Sequence, residues 1–357
     1  MDETSGTEPQ RVWLTWVLVA LNVLVYAAMA ITIGNPLTFP VPDLLAWGGN
    51  FAPSVAAGEL WRPLTAMFLH AGIIHLGMNM WVLSMIGPFI ERLFGVTSFF
   101  LIYLLAGLSG SIFGMLWHAD VVGVGASGAI FGLYGALLGF LFIRRHVIPA
   151  EVLRPLMQNG LYFLAINIVL GFSIPGVDVA AHVLGAMAGF VGGVAATWPQ
   201  MSEPRSNWLL RNALLAGLGV VVCAALPLCI PGSAKAQARF ITAVEGFNTQ
   251  EKVLLNRFNA LISDDMAASD YEAVADRLEQ EVLQPWSEMY GGFPPLTDLP
   301  GRQQANPKVA ALYDYMAMME EAFEMLVQAR RQDDAALERQ ADAKLQAAQA
   351  LGGSIMQ

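Results

Sequence analysis

Charge is what this sequence has least of: of 357 residues only 13% are Asp, Glu, Lys or Arg, while 55% are hydrophobic. So few charges cannot coat a soluble domain of this length, and a mean hydropathy of +0.51 puts the chain among polytopic membrane proteins, with lipid as its surroundings. Basic residues are scarcer than acidic ones, 19 against 29. None are interleaved with aromatics in the way a nucleic-acid surface requires, which sets that partner aside. Cysteine is nearly absent. Cys223 and Cys229 lie in one apolar run, at a spacing along a single helix that cannot close a disulfide. Without His or carboxylate neighbours they also make a poor metal site, and both are expected to be small packing residues.

What the chain has in abundance is long apolar runs. They fall at about 12–33, 68–90, 97–117, 122–143, 156–174, 177–198 and 207–230, each near the roughly 20 residues that a helix needs to cross a bilayer. The expected fold is all-α: six spans over 12–200 after a short polar tail (1–11), a seventh over 201–231, and a helical extramembrane domain over 232–357. The first run ends in Ala28-Met29-Ala30, which would suit signal cleavage. Only Arg11 precedes it, however, and the run is long for a signal, so a retained helix is expected. Residues 34–66 join spans one and two and are rich in Pro and Trp, the composition of a loop lying in the interface.

Lys and Arg favour the cytoplasmic side of a membrane. Arg11, Arg92, Arg144, Arg145, Arg154, Arg205 and Arg211 all fall in the N-terminal tail or after even-numbered spans, whereas the other connections hold only Arg62. The N-terminus is therefore expected inside, with spans two, four and six running from outside to inside and the C-terminal domain delivered outside. That domain carries much of the acidity, 19 acidic against 11 basic residues. Breaks are expected at Tyr290–Pro295 and Leu299–Gly301. Asn306-Pro307 is expected to open one uninterrupted helix from Val309 to about Leu351, part of an amphipathic hairpin or small bundle.

Polar groups inside spans are costly, and histidine more so than serine. Of the five histidines, His118 (beside Asp120) and His146 (beside Arg145) sit at span ends and are expected to be interfacial. Ser127, His75 and His182 instead lie near the starts of spans four, two and six, at one depth on the outer side. A start at residue 122 puts Ser127 about 6–8 Å into its span. Gly128, Gly132, Gly135 and Gly139 recur along span four, and Gly185, Gly189 and Gly192 or Gly193 along span six. These bare stripes allow close helix packing, which by itself is ordinary. Here the same packing would also carry the Ser127 hydroxyl to the His182 imidazole, the arrangement of a nucleophile and its general base. His75 and Asn79, an i,i+4 pair able to donate hydrogen bonds, could stabilise an oxyanion or simply pair with each other.

At these residues the chain resembles the rhomboid family of intramembrane serine proteases. The matching motifs are Glu59-Leu60-Trp61-Arg62, His70 followed by His75-Leu76-Gly77-Met78-Asn79, Gly125-Ala126-Ser127-Gly128, and Ala181-His182-Val183-Leu184-Gly185 with Gly189. The resemblance covers about residues 10–200. It implies Ser127 as nucleophile and His182 as base in a dyad without an acidic third member. It also implies an oxyanion hole of His75, Asn79 and the Ser127 N–H, with His70, Trp61 and Arg62 in supporting roles and no metal or cofactor. The implied substrates are single-pass membrane proteins cut near the outer interface of what would be a bacterial inner membrane. Phe131 departs from the family's tyrosine, and a phenyl ring can stack but not hydrogen-bond. The alternative is a catalytically dead rhomboid-like chaperone of membrane clients; such proteins usually lack the serine or the histidine, this chain has both, and labelling of Ser127 separates the two readings. A transporter would show polar groups at midplane and repeat symmetry, and neither is seen. Residues 232–357 carry no motif that points to a chemistry; they could recruit substrate, bind a protein partner or protect the exit face.

Overall fold

A computed structural model describes residues 12–174, 176–197, 205–265 and 271–355. It divides into two compact units, Met1–Ala234 and Lys235–Gln357. The first unit opens with α1 (Leu14–Ile33), which ends on Gly34 in the left-handed conformation. Three short helices follow, α2 (Val41–Ala46), α3 (Ala52–Ala56) and α4 (Arg62–Thr65), each with Pro in its first turn, where the missing N–H costs nothing. The long helices are α5 (Ile73–Phe94), α6 (Val96–Trp117), α7 (Ser127–Arg144), α8 (Ala150–Ser173), α9 (Val179–Thr197) and α10 (Arg205–Cys229). The described residues contain no strand, only isolated bridges from Thr38 to Gly72 and from Asn50 to Gly123.

Seven helices among the described residues are long and apolar enough to cross a membrane: α1, α5 to α9, and Trp208–Cys229 of α10. Their outward faces are apolar too, with Leu228 87% and Phe172 78% exposed, which only a lipid surround makes favourable. The protein is an integral membrane protein. Two spans begin later than the apolar runs suggest. Met67 and Leu69 are buried, but in a 3₁₀ turn and an extended segment, so the second span starts at Ile73. Val122 and Val124 likewise precede α7, the fourth span, which makes Ser127 its first residue instead of one several ångströms inside it. Hydrophobicity marks what is shielded from water, and these two segments are shielded without being helical.

The centre of this unit is formed by α6 and α7, where Phe99, Ile102, Tyr103, Leu133 and Leu141 are fully buried. Along the α7–α9 seam the two backbones touch. A methyl group built on Gly189 would collide with Gly132, one on Gly193 with Ala136, and one on Gly185 with Gly128. Gly192 faces away from the seam, toward Ile102, Leu105 and Leu215. α10 is tied to α6 by a buried bond from Ser98 Oγ to Asn212 Oδ1 at 2.8 Å. Near the C-terminal end of α5, the buried Glu91 carboxylate accepts from the N–H groups of Trp13, Leu14 and Thr15 at 2.9–3.0 Å and from Thr15 Oγ1 at 2.6 Å. It thereby satisfies donors that the start of α1 leaves without helical partners.

The second unit contains most of α11 (Gly232–Asp265), then α12 (Tyr271–Leu278), a π turn (Glu279–Leu283), α13 (Gln284–Gly291), α14 (Gly301–Gln304), α15 (Pro307–Gln332) and α16 (Ala335–Ile355). The single long C-terminal helix expected from the sequence is two. Asp333 adopts a left-handed conformation (φ 50), and Asp334 Oδ1 caps α16 by accepting from the N–H groups of Ala336 and Leu337. Asp tolerates that conformation and is a strong N-cap, so Asp333-Asp334 ends one helix and starts the next. Asn306 caps α15 by accepting from Lys308 N–H at 3.0 Å. The core centres on Trp286, fully buried, whose Nε1–H donates to the Met316 carbonyl at 3.0 Å. Beside it the Tyr315 hydroxyl donates to the buried Glu251 carboxylate at 2.5 Å. Burial, with Glu251, pushes the Tyr315 pKa well up.

Candidate active site

The N-terminal ends of α5, α7 and α9 meet. Ser127 is the first residue of α7 and His182 lies in the first turn of α9. Ser127 Oγ and His182 Nε2 are 2.8 Å apart, and both residues are partly accessible. The His182 ring stacks on Phe131, with centroids 4.1 Å apart and planes 13° from parallel. Its Nδ1 has no hydrogen-bond partner among the described residues. Ring orientation is therefore set by stacking and by the helix that carries the ring, and no carboxylate among those residues is bonded to it. When Nε2 accepts the hydrogen bond of the serine hydroxyl, the ring's own proton must sit on Nδ1.

The backbone before Ser127 is shaped by Gly125. Its φ of +126° is open to glycine and strained for other residues. A Cβ there would also lie 2.9 Å from His75 Cε1 and Nε2. Glycine is required twice over, for conformation and for room beside His75. The first helical bond of α7 is donated by Ile130 to the Ala126 carbonyl, so the N–H groups of Ser127, Gly128 and Ala129 have no intrahelical acceptor. They point out of the positive end of the helix, as an oxyanion requires.

Asn79, one turn below His75 and buried, donates from Nδ2 to the His75 carbonyl at 2.9 Å, a bond within its own helix. His70 lies in the connector before α5 and is fully buried, with its ring edge-on to His75 at 5.0 Å. Burial, with the nearby His75, lowers the His70 pKa to about 3 against a weaker opposing pull from the Phe68 backbone. Trp61 and Arg62 are not gathered at the dyad. Arg62 donates to the carbonyls of Leu45 and Gly49 at 2.8 and 2.9 Å, pairs with Glu59 and lies over the Trp61 ring at 4.9 Å, which pins the connection onto itself. That connection in turn holds the loop before Ser127, through Asn50 to Gly123 and through Gly125 N–H to the Ala66 carbonyl at 2.9 Å.

The sequence pattern around the dyad leaves out α6, yet α6 packs directly behind it. Gly110 admits both the Ala181 carbonyl and the Gly128 Cα, and Gly114 admits the Asp178 carboxylate. Gly107, Gly110 and Gly114 recur at three- and four-residue steps, a third stripe with the same signal as those on α7 and α9. His118, expected to be interfacial, is about half exposed at the end of α6 and places Nδ1 3.9 Å from Asp178 Oδ1.

The Rhomboid domain family profile matches residues 57–199. RHOMBOID-like protein 7 of Arabidopsis thaliana is 35% identical over 238 residues, 64% of this chain and 70% of its own length. The putative rhomboid protease YdcA of Bacillus subtilis (strain 168) is 36% identical over 158 residues, 43% of this chain and 77% of its own. This chain belongs to the rhomboid family. The rhomboid protease GluP of the same Bacillus strain is 36% identical over 206 residues, 58% of this chain. The match spans only 39% of GluP's length, so GluP speaks for a shared region and not for the whole of either protein. The profile match contains Trp61, Arg62, His70, His75, Asn79, Gly125, Ser127, Phe131, His182 and Gly185, and it ends before α10 and the second unit.

Proposed function

We propose that this rhomboid is an intramembrane serine endopeptidase that cuts single-pass membrane proteins near the outer interface through a Ser127–His182 dyad. The observation that carries the reading is the 2.8 Å approach of Ser127 Oγ to His182 Nε2, within reach for proton transfer. Ser127 Oγ attacks the scissile carbonyl as its proton passes to His182 Nε2. Charge then develops on the substrate oxygen, opposite the free N–H groups at the start of α7 and the His75 ring beside Gly125. The peptide C–N bond breaks as His182 returns the proton to the leaving amine. Water then hydrolyses the acyl-enzyme, with His182 taking its proton and returning it to Ser127 Oγ.

The orientation proposed from the Arg distribution puts the N-terminus on the cytoplasmic side, with the dyad opening to the periplasmic side of a bacterial inner membrane. A reporter fused after Cys229 that is active only outside the cytoplasm supports this orientation, and one active only inside refutes it. For the chemistry, Ser127→Ala and His182→Ala are each expected to lower cleavage of a reporter transmembrane substrate by about 10³-fold or more. Full cleavage by either variant would overturn the dyad.

A further inference from the structure

α9 carries the proposed general base, and what fixes its start is Asp178. The Asp178 Oδ1 accepts from the Ala181 N–H at 3.0 Å, and the Asp178 carbonyl accepts from the His182 N–H at 3.2 Å. Side chain and backbone of one residue thus hold the two residues that place the imidazole. The carboxylate is seated in turn. A Cβ at Gly114 would collide with Asp178 Oδ2 and lie 3.0 Å from its Cγ, so the bare backbone of α6 is what admits it. His118, at the end of α6, faces the same carboxylate, with Nδ1 3.9 Å from Oδ1. One turn deeper, a Cβ at Gly110 would lie 2.7 Å from the Ala181 carbonyl and 3.4 Å from the Cα of Gly128, the residue after Ser127, so bare backbone gives α9 room there too.

A helix start held by its cap can neither rotate nor slide freely, and hydrogen-bonded proton transfer tolerates little of either. His182 Nδ1 has no partner among the described residues, so the ring's position relies on its backbone and on the Phe131 stack. We propose that Asp178 is a positioning residue: seated on Gly114 of α6, it caps α9 and so sets the register of His182 against Ser127. This rests on His182 being the base.

The test compares Asp178→Ala, Asp178→Asn, Gly114→Ala, the Asp178→Ala/Gly114→Ala double variant and His182→Ala in the full chain, measuring kcat, KM and the rate of Ser127 labelling by a fluorophosphonate. Asn306→Ala, which removes a cap of the same kind in the second unit, serves as the control for stability loss alone. Asp178→Ala is expected to lower kcat and labelling roughly tenfold with KM unchanged, while Asp178→Asn, which can still cap, recovers most of both. Gly114→Ala should reproduce the defect by unseating the carboxylate; because its methyl would also lie 3.1 Å from the Ala181 Cβ, the double variant is expected to lose less than the product of the two single losses and not to match Asp178→Ala alone.

If Asp178→Ala matches Asn306→Ala, with a lower melting temperature but unchanged kcat, or if Asp178→Asn fails to recover activity, the positioning role is wrong. If Asp178→Ala does not fold, Gly114→Ala decides: a fold-competent protein with normal kcat refutes the proposal. Full activity in His182→Ala would instead remove the base on which the proposal rests, a separate outcome.

Discussion

At the scale of single residues, the site combines one close polar contact with neighbours that are mostly apolar or bare. Phe131 supplies the surface that orients His182, and such aromatic contacts contribute about 0.5–1.5 kcal/mol beyond burial. Phe131→Ala is accordingly expected to cost several-fold to tenfold in kcat, whereas Phe131→Tyr should retain activity; equal rates for Phe131→Ala and wild type would show that the stack does not orient the ring. His70 offers a test by pH. Its pKa of about 3 in the folded chain lies below its ordinary 6.5, so the unfolded chain binds more protons between those values. The stability gained by keeping it neutral is complete above pH 6.5 and is lost as the pH falls toward 3, by about 2–3 kcal/mol near pH 4.5. Thermal melting should therefore drop on acidification, and the drop should shrink in His70→Leu. Ser127, His182 and His75 can be picked from sequence because polar groups are rare in the spans. Asp178 cannot, since an Asp at the edge of an apolar run looks like any span-end residue until its cap and its seat on Gly114 are seen.

At the scale of elements, the glycine stripes are legible in the sequence and their consequence is not. Periodicity gives a stripe on each helix, but only the packing shows backbone against backbone, at Gly132 with Gly189 and at Ala136 with Gly193. Gly189→Val is expected to prevent correct packing of α9 on α7, with loss of folded protein in detergent, because the obstacle is rigid backbone. Gly217→Val on α10, where a Cβ meets nothing within 4 Å, should be tolerated. Helix starts are hard to read for the opposite reason. Apolar residues at 67–69 and 122–124 are shielded in non-helical connections, where hydropathy alone counts them as span. The Glu91 carboxylate, which caps α1 across a tertiary contact, has no sequence signal. Glu91→Ala leaves buried N–H groups without an acceptor and is expected to destabilise the fold by about 3 kcal/mol, read as a fall in melting temperature.

At the scale of the whole molecule, composition suffices to separate a membrane-spanning part from an acidic helical one, since few charges and long apolar runs belong to the first and most of the carboxylates to the second. The family profile matches residues 57–199, and every group proposed for catalysis falls inside those limits. The second unit has its own aromatic core around Trp286, and its fold can be anticipated only as helical, because the turn between its last two helices hangs on Asp333 and Asp334. Proteolysis by this molecule requires Ser127 to be a nucleophile activated by His182. This requirement is tested most directly by treating the membrane-embedded full chain with a fluorophosphonate and locating the adduct by peptide mass spectrometry. A single adduct on Ser127 that His182→Ala abolishes is expected; a folded wild-type chain left unlabelled at Ser127, or labelled there equally well without His182, would refute the dyad.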